Sequence, residues 1–153
     1  MTKLSGLMTF AQLSSILEPT NFERKVIGFD TFSGFTNLTE YEKWSTLEYS
    51  HEGGFVLNSF EDLKKYVEIY DKDRFLNHIN KVKIIKGDAV KTIPKYLDEN
   101  PATIISMLCL DMVAYEPTKV ALEKFLPHMA KESMLVFNIL NDNKHWPGTT
   151  KAL

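Results

Sequence analysis

"VIGFDTFSGF", residues 26–35, runs apolar for four residues, meets a carboxylate at Asp30 and breaks into a loop of small and aromatic residues. A short apolar run with β-branched residues and no alternation reads as a strand buried on both faces, the habit of parallel sheets. An acid just past such a strand stands at its carboxyl end, the rim where open parallel sheets bind ligands. The same pattern returns in "KVKIIKGDA" (81–89), ending at Asp88, and in "TIISMLCLD" (103–111), ending at Asp111. "SMLVFNIL" (133–140) makes a fourth apolar run.

Helical spacing fills the intervals. "LMTFAQLSSILEP" sets Leu7, Phe10, Leu13 and Leu17 near one face, and Pro19 stops it. "SFEDLKKYVEIYD" offers Ser59 as a cap, Asp62 as its capping-box partner, and a stripe of Phe60, Leu63, Val67 and Tyr70. "IPKYLDEN" predicts a helix with Pro94 in its first turn, and "EPTKVALEKFL" another that opens with Pro117. Residues 31–58 read as a long polar and aromatic loop with "EGG" at 52–54, in which "EYEKWSTLEY" has room for one helical turn. "NDNKHWPGTTKAL" reads as a polar tail with a turn at "WPG". Strands alternating with helices place the chain in the α/β class, a Rossmann-like open, mostly parallel sheet with helices on both faces. At 153 residues a single domain is expected, burying roughly 68–70% of its unfolded surface.

The charge balance, 18 basic against 20 acidic residues and pI about 6.1, supplies no basic stripe, so nucleic acid is not an expected partner. Cys109 is the only cysteine, lies in an apolar run and is expected as a buried reduced thiol, which suits the cytoplasm. No apolar run reaches the roughly 18 residues of a membrane span and no signal-peptide pattern opens the chain, so a soluble protein is expected. His51, His78, His128 and His145 form no pair at ligand spacing, which disfavours zinc, and "GDAVK" lacks the spacing of a phosphate-binding Walker loop.

For Asp30 the chemistry of the rim suggests a carboxylate accepting from two vicinal ribose hydroxyls. The structural alternative is that Asp30 and Asp88 are turn or helix-cap residues bonded to nearby backbone amides. The aromatic residues between 32 and 55 suit either a lid over a small ligand or plain packing on the sheet.

Four stretches, "VIGFDTFSGF", "KGDAVKTIPKYLDENP", "LCLDMVAYEPTKVALEKFLP" and "WPGTTKAL", together resemble the macrocin O-methyltransferase family, enzymes that use S-adenosylmethionine to methylate sugar hydroxyls of natural products. The resemblance spans nearly the whole chain in order and spacing. It implies a donor site in which Asp30, with Thr31, meets the ribose hydroxyls, and Asp88 and Ala89, after Gly87, meet the adenine edge. Gly6 would be the last glycine of the loop that wraps the methionine part. Asp111 matches an acid beside the transferred methyl, where metal-dependent members hold magnesium; Asn138 is the second ligand it would have here, and carboxylate, carbonyl and water oxygens suit that ion. His145 is a candidate base by residue type alone.

The departures from the family pattern are specific. Only "TKLSG" follows Met1 before the first helix, so the usual first strand and its glycine-rich loop are not expected, and the strand at 26–29 would be separated from that at 104–110 unless the two pair or another chain fills the gap. Val113 replaces the second acid of an Asp-x-Asp, Asn138 and Ile139 replace an Asp-Glu, and Glu132 and Ser133 stand where two glycines are common. Two functions follow: an S-adenosylmethionine-dependent O-methyltransferase acting on a small-molecule hydroxyl, or a catalytically inactive domain of the same outline used in binding or assembly. Exposed sheet edges would suit a homodimer.

Overall fold

The computed structural model describes residues 4–36, 38–43, 48, 50–56 and 59–153. Its elements alternate as the apolar runs require: α1 (Leu4–Leu17), β1 (Val26–Asp30), α2 (Glu40–Lys43), α3 (Phe60–Asp73), β2 (Val82–Lys86), α4 (Ala89–Glu99), β3 (Ile105–Leu110), α5 (Tyr115–Phe125), β4 (Met129–Phe137) and α6 (Pro147–Ala152). The class is α/β with parallel strands, as expected.

The strands form two parallel pairs, β1 with β2 and β3 with β4. Both pairs rest on one helical layer. Phe29 of β1 meets Tyr96 of α4 and Phe125 of α5, each at a ring-centroid distance of 5.6 Å, in the cluster that also takes Leu108 and Leu110 of β3. On the opposite face, Met8 and Ala11 of α1 and Leu63 and Val67 of α3 close over Val82 and Val26. Helices therefore cover both faces of the β1–β2 pair.

Several boundaries differ from the sequence reading. α1 starts before Leu7, so Gly6 is a helical residue with open space around it and not part of a loop. The buried line of α1 is Met8 and Ala11, with Leu7 against Gly28, while Leu13 and Leu17 are exposed. Ala11 wins because its small side chain brings the backbone close enough for its carbonyl to accept from the Tyr70 hydroxyl at 2.7 Å. Ser59 stands at the N-cap of α3 without a side-chain cap bond, so the capping box does not form. α4 begins five residues before Pro94, at Ala89, because the Asp88 carboxylate accepts from Val90 N–H at 3.0 Å and starts the helix there. Pro94 is interior. The polar tail folds as α6, with Trp146, Pro147, Gly148 and Thr149 buried. Cys109 is exposed, since its side of β3 is not covered by a helix among the described residues; partial desolvation and then the nearby Asp111 carboxylate still hold its thiol above the ordinary value.

β4 carries an irregularity against β3 between the pairs Ile105–Met129 and Met107–Met134, and within it Glu132 has φ +69°. A left-handed residue with a Cβ costs about 1 kcal/mol relative to glycine. Glu132→Gly is therefore expected to raise unfolding stability by about 0.5–1 kcal/mol in urea denaturation, despite the greater chain entropy of glycine.

Candidate active site

The carboxyl ends of β1, β2 and β3 open onto one cleft of about 790 Å³, counted with its open mouth. Asp30, Thr31, Gly87, Asp88 and Ala89 all line it, together with Phe29, Phe32, Phe35, Phe55, Met112 and Val113. Five of the six residues expected to hold the donor are thus brought together; Gly6 is elsewhere, in α1.

Both structural readings of the acids are realised at the same time as their place in the cleft. Asp30 accepts from Phe32 N–H at 2.8 Å and so turns the chain at the end of β1, and Asp88 caps α4. Gly87 has φ +142°, and a Cβ there would stand 2.9 Å from the Thr92 methyl, so this tight step from strand to helix is made for glycine.

The far wall is aromatic and held under strain. Phe32 (φ +55°) and Phe55 (φ +59°) are left-handed, which costs about 1–2 kcal/mol each. Residues 34–35 are stitched to 53–54 by Phe35 N–H to Gly54 O at 3.0 Å and Gly53 N–H to Phe35 O at 2.9 Å. Phe35 and Phe55 then stack around Trp146, at centroid distances of 5.4 and 6.2 Å. The aromatic loop is both packed and a cleft wall.

Asp111 is half-buried and, unlike Asp30 and Asp88, is not among the residues that line the cleft, although Met112 next to it is; its carboxylate accepts from the Asn138 amide at 2.5 Å. The two residues expected at a metal do meet, yet they satisfy one another, and among the described residues no three His, Cys, Asp or Glu side chains gather as a metal site would need. Magnesium is not supported. His145 does not line the cleft: its ring is engaged by Asp142 at 3.1 Å. Burial alone would raise the Asp142 carboxyl, but the His145 backbone N–H and ring outweigh it and hold it below the ordinary value.

Sequence reasoning missed Glu42. Fully buried, it accepts from Thr39 N–H (2.8 Å) and Thr39 Oγ1 (2.5 Å) with one oxygen and from Tyr115 N–H (2.7 Å) with the other. Ala114, the N-cap of α5, has no side chain to cap with, so Glu42 caps that helix from across the fold. Thr118 Oγ1 donates to Ala114 O at 2.7 Å and Thr149 Oγ1 to Met112 O at 3.2 Å. Segment 112–115, the wall containing Met112 and Val113, is fixed by these three side chains. The available signal was the Thr39–Glu42 spacing of a capping box ahead of one helical turn.

This is the fold of Rossmann-like methyltransferases. The chain is similar to CalS11, a calicheamicin methyltransferase, with 34% identity and a TM-score of 0.87 over 94% of this chain and 56% of that one. It is also similar to the apo structure of CalS11, a TDP-rhamnose 3'-O-methyltransferase of calicheamicin biosynthesis, with 34% identity and a TM-score of 0.73 over 94% and 54% of the two chains. The chain therefore spans about half the length of the solved proteins it matches. No protein-family model matches it, and no curated protein matches it. No helix among the described residues is long and apolar enough to cross a membrane.

Proposed function

We propose that this chain forms the nucleoside-binding part of an S-adenosylmethionine-dependent sugar O-methyltransferase of the macrocin type. The observation that carries the reading is the convergence of Asp30 and Asp88, from two different strands, on one partly apolar cleft in a chain 34% identical to a TDP-rhamnose 3'-O-methyltransferase. The cleft fits the nucleoside half of the donor: carboxylate oxygens at Asp30 for ribose hydroxyls, Asp88 and Ala89 along the base edge, and Phe29, Phe32 and Met112 as apolar walls. The described residues include no glycine-rich loop for the methionine half.

The donor, when bound, supplies an electrophilic methyl group on sulfur. The protein's part is to orient the acceptor hydroxyl and take its proton. Asp111 is the group for that step, with Asn138 holding its carboxylate and Val113 keeping the adjoining wall apolar. His145, tied to Asp142, has no role in it. A neutral sugar hydroxyl facing Phe35 and Phe55 is the acceptor that this wall favours.

Calorimetric titration with S-adenosylhomocysteine tests the site. Asp30→Ala should weaken binding about 10- to 100-fold, the size of lost hydrogen bonds to a charged group. Asp30→Asn, which keeps an acceptor for Phe32 N–H, separates the loss of charge from collapse of the turn. Equal heats in wild type and Asp30→Ala would remove the assignment. A second reading, a domain of the same outline that binds without methylating, is favoured by Val113 in the wall and by the Asp111–Asn138 bond; donor binding without methyl transfer to any sugar would select it.

A further inference from the structure

Phe60 heads the apolar stripe of α3, yet it does not pack as the rest of the stripe does. Leu63 and Val67 are buried in the core between α1, α3 and the β1–β2 pair, and Tyr70 packs against it. Phe60 is half-buried and belongs to neither core cluster. Its ring instead meets Phe32 of the cleft wall edge-on, with centroids 4.9 Å apart and planes at 64°. Lys86, the last residue of β2, sets its ammonium 4.7 Å from the centroid of the same Phe60 ring, within the roughly 6 Å reach of a cation–π contact. An exposed lysine, Phe60 and Phe32 therefore form one chain of contacts that runs from the surface to the cleft.

The turn after β1 explains why the wall needs this support. Phe32 N–H donates to Asp30 Oδ1 at 2.8 Å, and Thr31 Oγ1 donates to Gly34 O at 2.7 Å, so the backbone of the turn is fixed. Neither bond fixes the Phe32 side chain. A half-buried ring can hop among staggered positions, and the apparent affinity for a ligand falls by the fraction of time the ring spends out of place. We propose that Phe60, which does not itself line the cleft, is a positioning residue for the nucleoside: it holds the Phe32 ring in the wall, and Lys86 holds Phe60. The ligand in this statement rests on the nucleoside reading of the cleft; the clamp on Phe32 does not.

The test is calorimetric titration of the full chain with S-adenosylhomocysteine. Phe60→Leu should bind about three- to tenfold more weakly with its melting midpoint close to wild type, while Phe60→Tyr, which keeps the aromatic edge, should stay within about twofold. Lys86→Met should lose about two- to fivefold, and Lys86→Arg should recover it. Because Phe60 acts through Phe32, Phe60→Leu should add no further loss in a Phe32→Ala background. An equal loss in both backgrounds would overturn the proposal, and so would wild-type affinity in Phe60→Leu. Without ligand, the Phe32 and Ser33 amides, bonded to Asp30 Oδ1 and Thr31 Oγ1, should exchange with solvent several times faster in Phe60→Leu. That measurement stands apart from the donor. If wild type gave no heat with S-adenosylhomocysteine, the nucleoside reading would fall, and faster exchange would keep the clamp whereas unchanged exchange would end it.

Discussion

Glu42→Ala is expected to destabilise the protein by about 2–4 kcal/mol, because it removes a fully buried acceptor from two partly buried backbone donors, Thr39 N–H and Tyr115 N–H, and takes the cap from α5. For a domain of this size that lowers the melting midpoint by about 5–15 °C in calorimetry. The effect reaches the cleft as well. Residues 112–114 follow β3, and their path is set by Glu42 at Tyr115 and by Thr118 and Thr149 at the carbonyls of Ala114 and Met112. Donor affinity should therefore fall with stability. Glu42→Gln, which retains one acceptor, should lose less than Glu42→Ala in both measurements. Gly148→Ala should reproduce the alanine result, since a Cβ there would run into Glu42 Oε1 and stand 2.7 Å from Tyr115 N. An unchanged midpoint in Glu42→Ala would show that the carboxylate is dispensable and that water or a neighbouring group takes its place.

Why Glu42 escaped the sequence reading, when the acids at 30, 88 and 111 did not, follows from what each is tied to. Asp30, Asp88 and Asp111 end apolar runs, and the periodicity that marks a buried strand also marks its carboxyl end. Glu42 sits in a single helical turn inside a long irregular stretch, and its decisive partner, Tyr115, is 73 residues away. Local pattern holds no information at that separation. α6 was hidden for a related reason: "WPGTTKA" lacks an apolar stripe, and its burial comes from Pro147, Gly148 and Thr149 fitting closely against segment 112–115. The early start of α4 is in principle legible, because Asp88 reads as a helix cap as well as a rim acid, but Pro94, at position six of the helix, suits a first turn and so places the boundary too late.

Gly34→Ala is expected to abolish measurable binding of S-adenosylhomocysteine while moving the melting midpoint by only a few degrees. Two independent costs meet at this residue. Its φ is +81°, a conformation that costs about 1–2 kcal/mol for a residue with a Cβ. The added Cβ would also press on Gly54 O and stand 2.7 Å from Gly53 O, both backbone atoms with no flexible end to give way. Relief requires residues 32–36 to part from 51–55, breaking the Phe35–Gly54 and Gly53–Phe35 hydrogen bonds and releasing Phe32, Phe35 and Phe55 from the cleft. The core beneath, centred on Ile93, Leu110 and Ala121, does not depend on that loop, so global stability changes little. Gly53→Ala supplies the control: it shares a positive φ, +77°, but its Cβ would meet nothing within 4 Å. It should cost about 1 kcal/mol of local order and leave donor affinity within a few-fold of wild type. Equal loss of affinity in the two variants would mean that loop conformation alone, and not the packing of 32–36 on 51–55, shapes the cleft; retained affinity in Gly34→Ala would mean that the aromatic wall takes no part in holding the nucleoside.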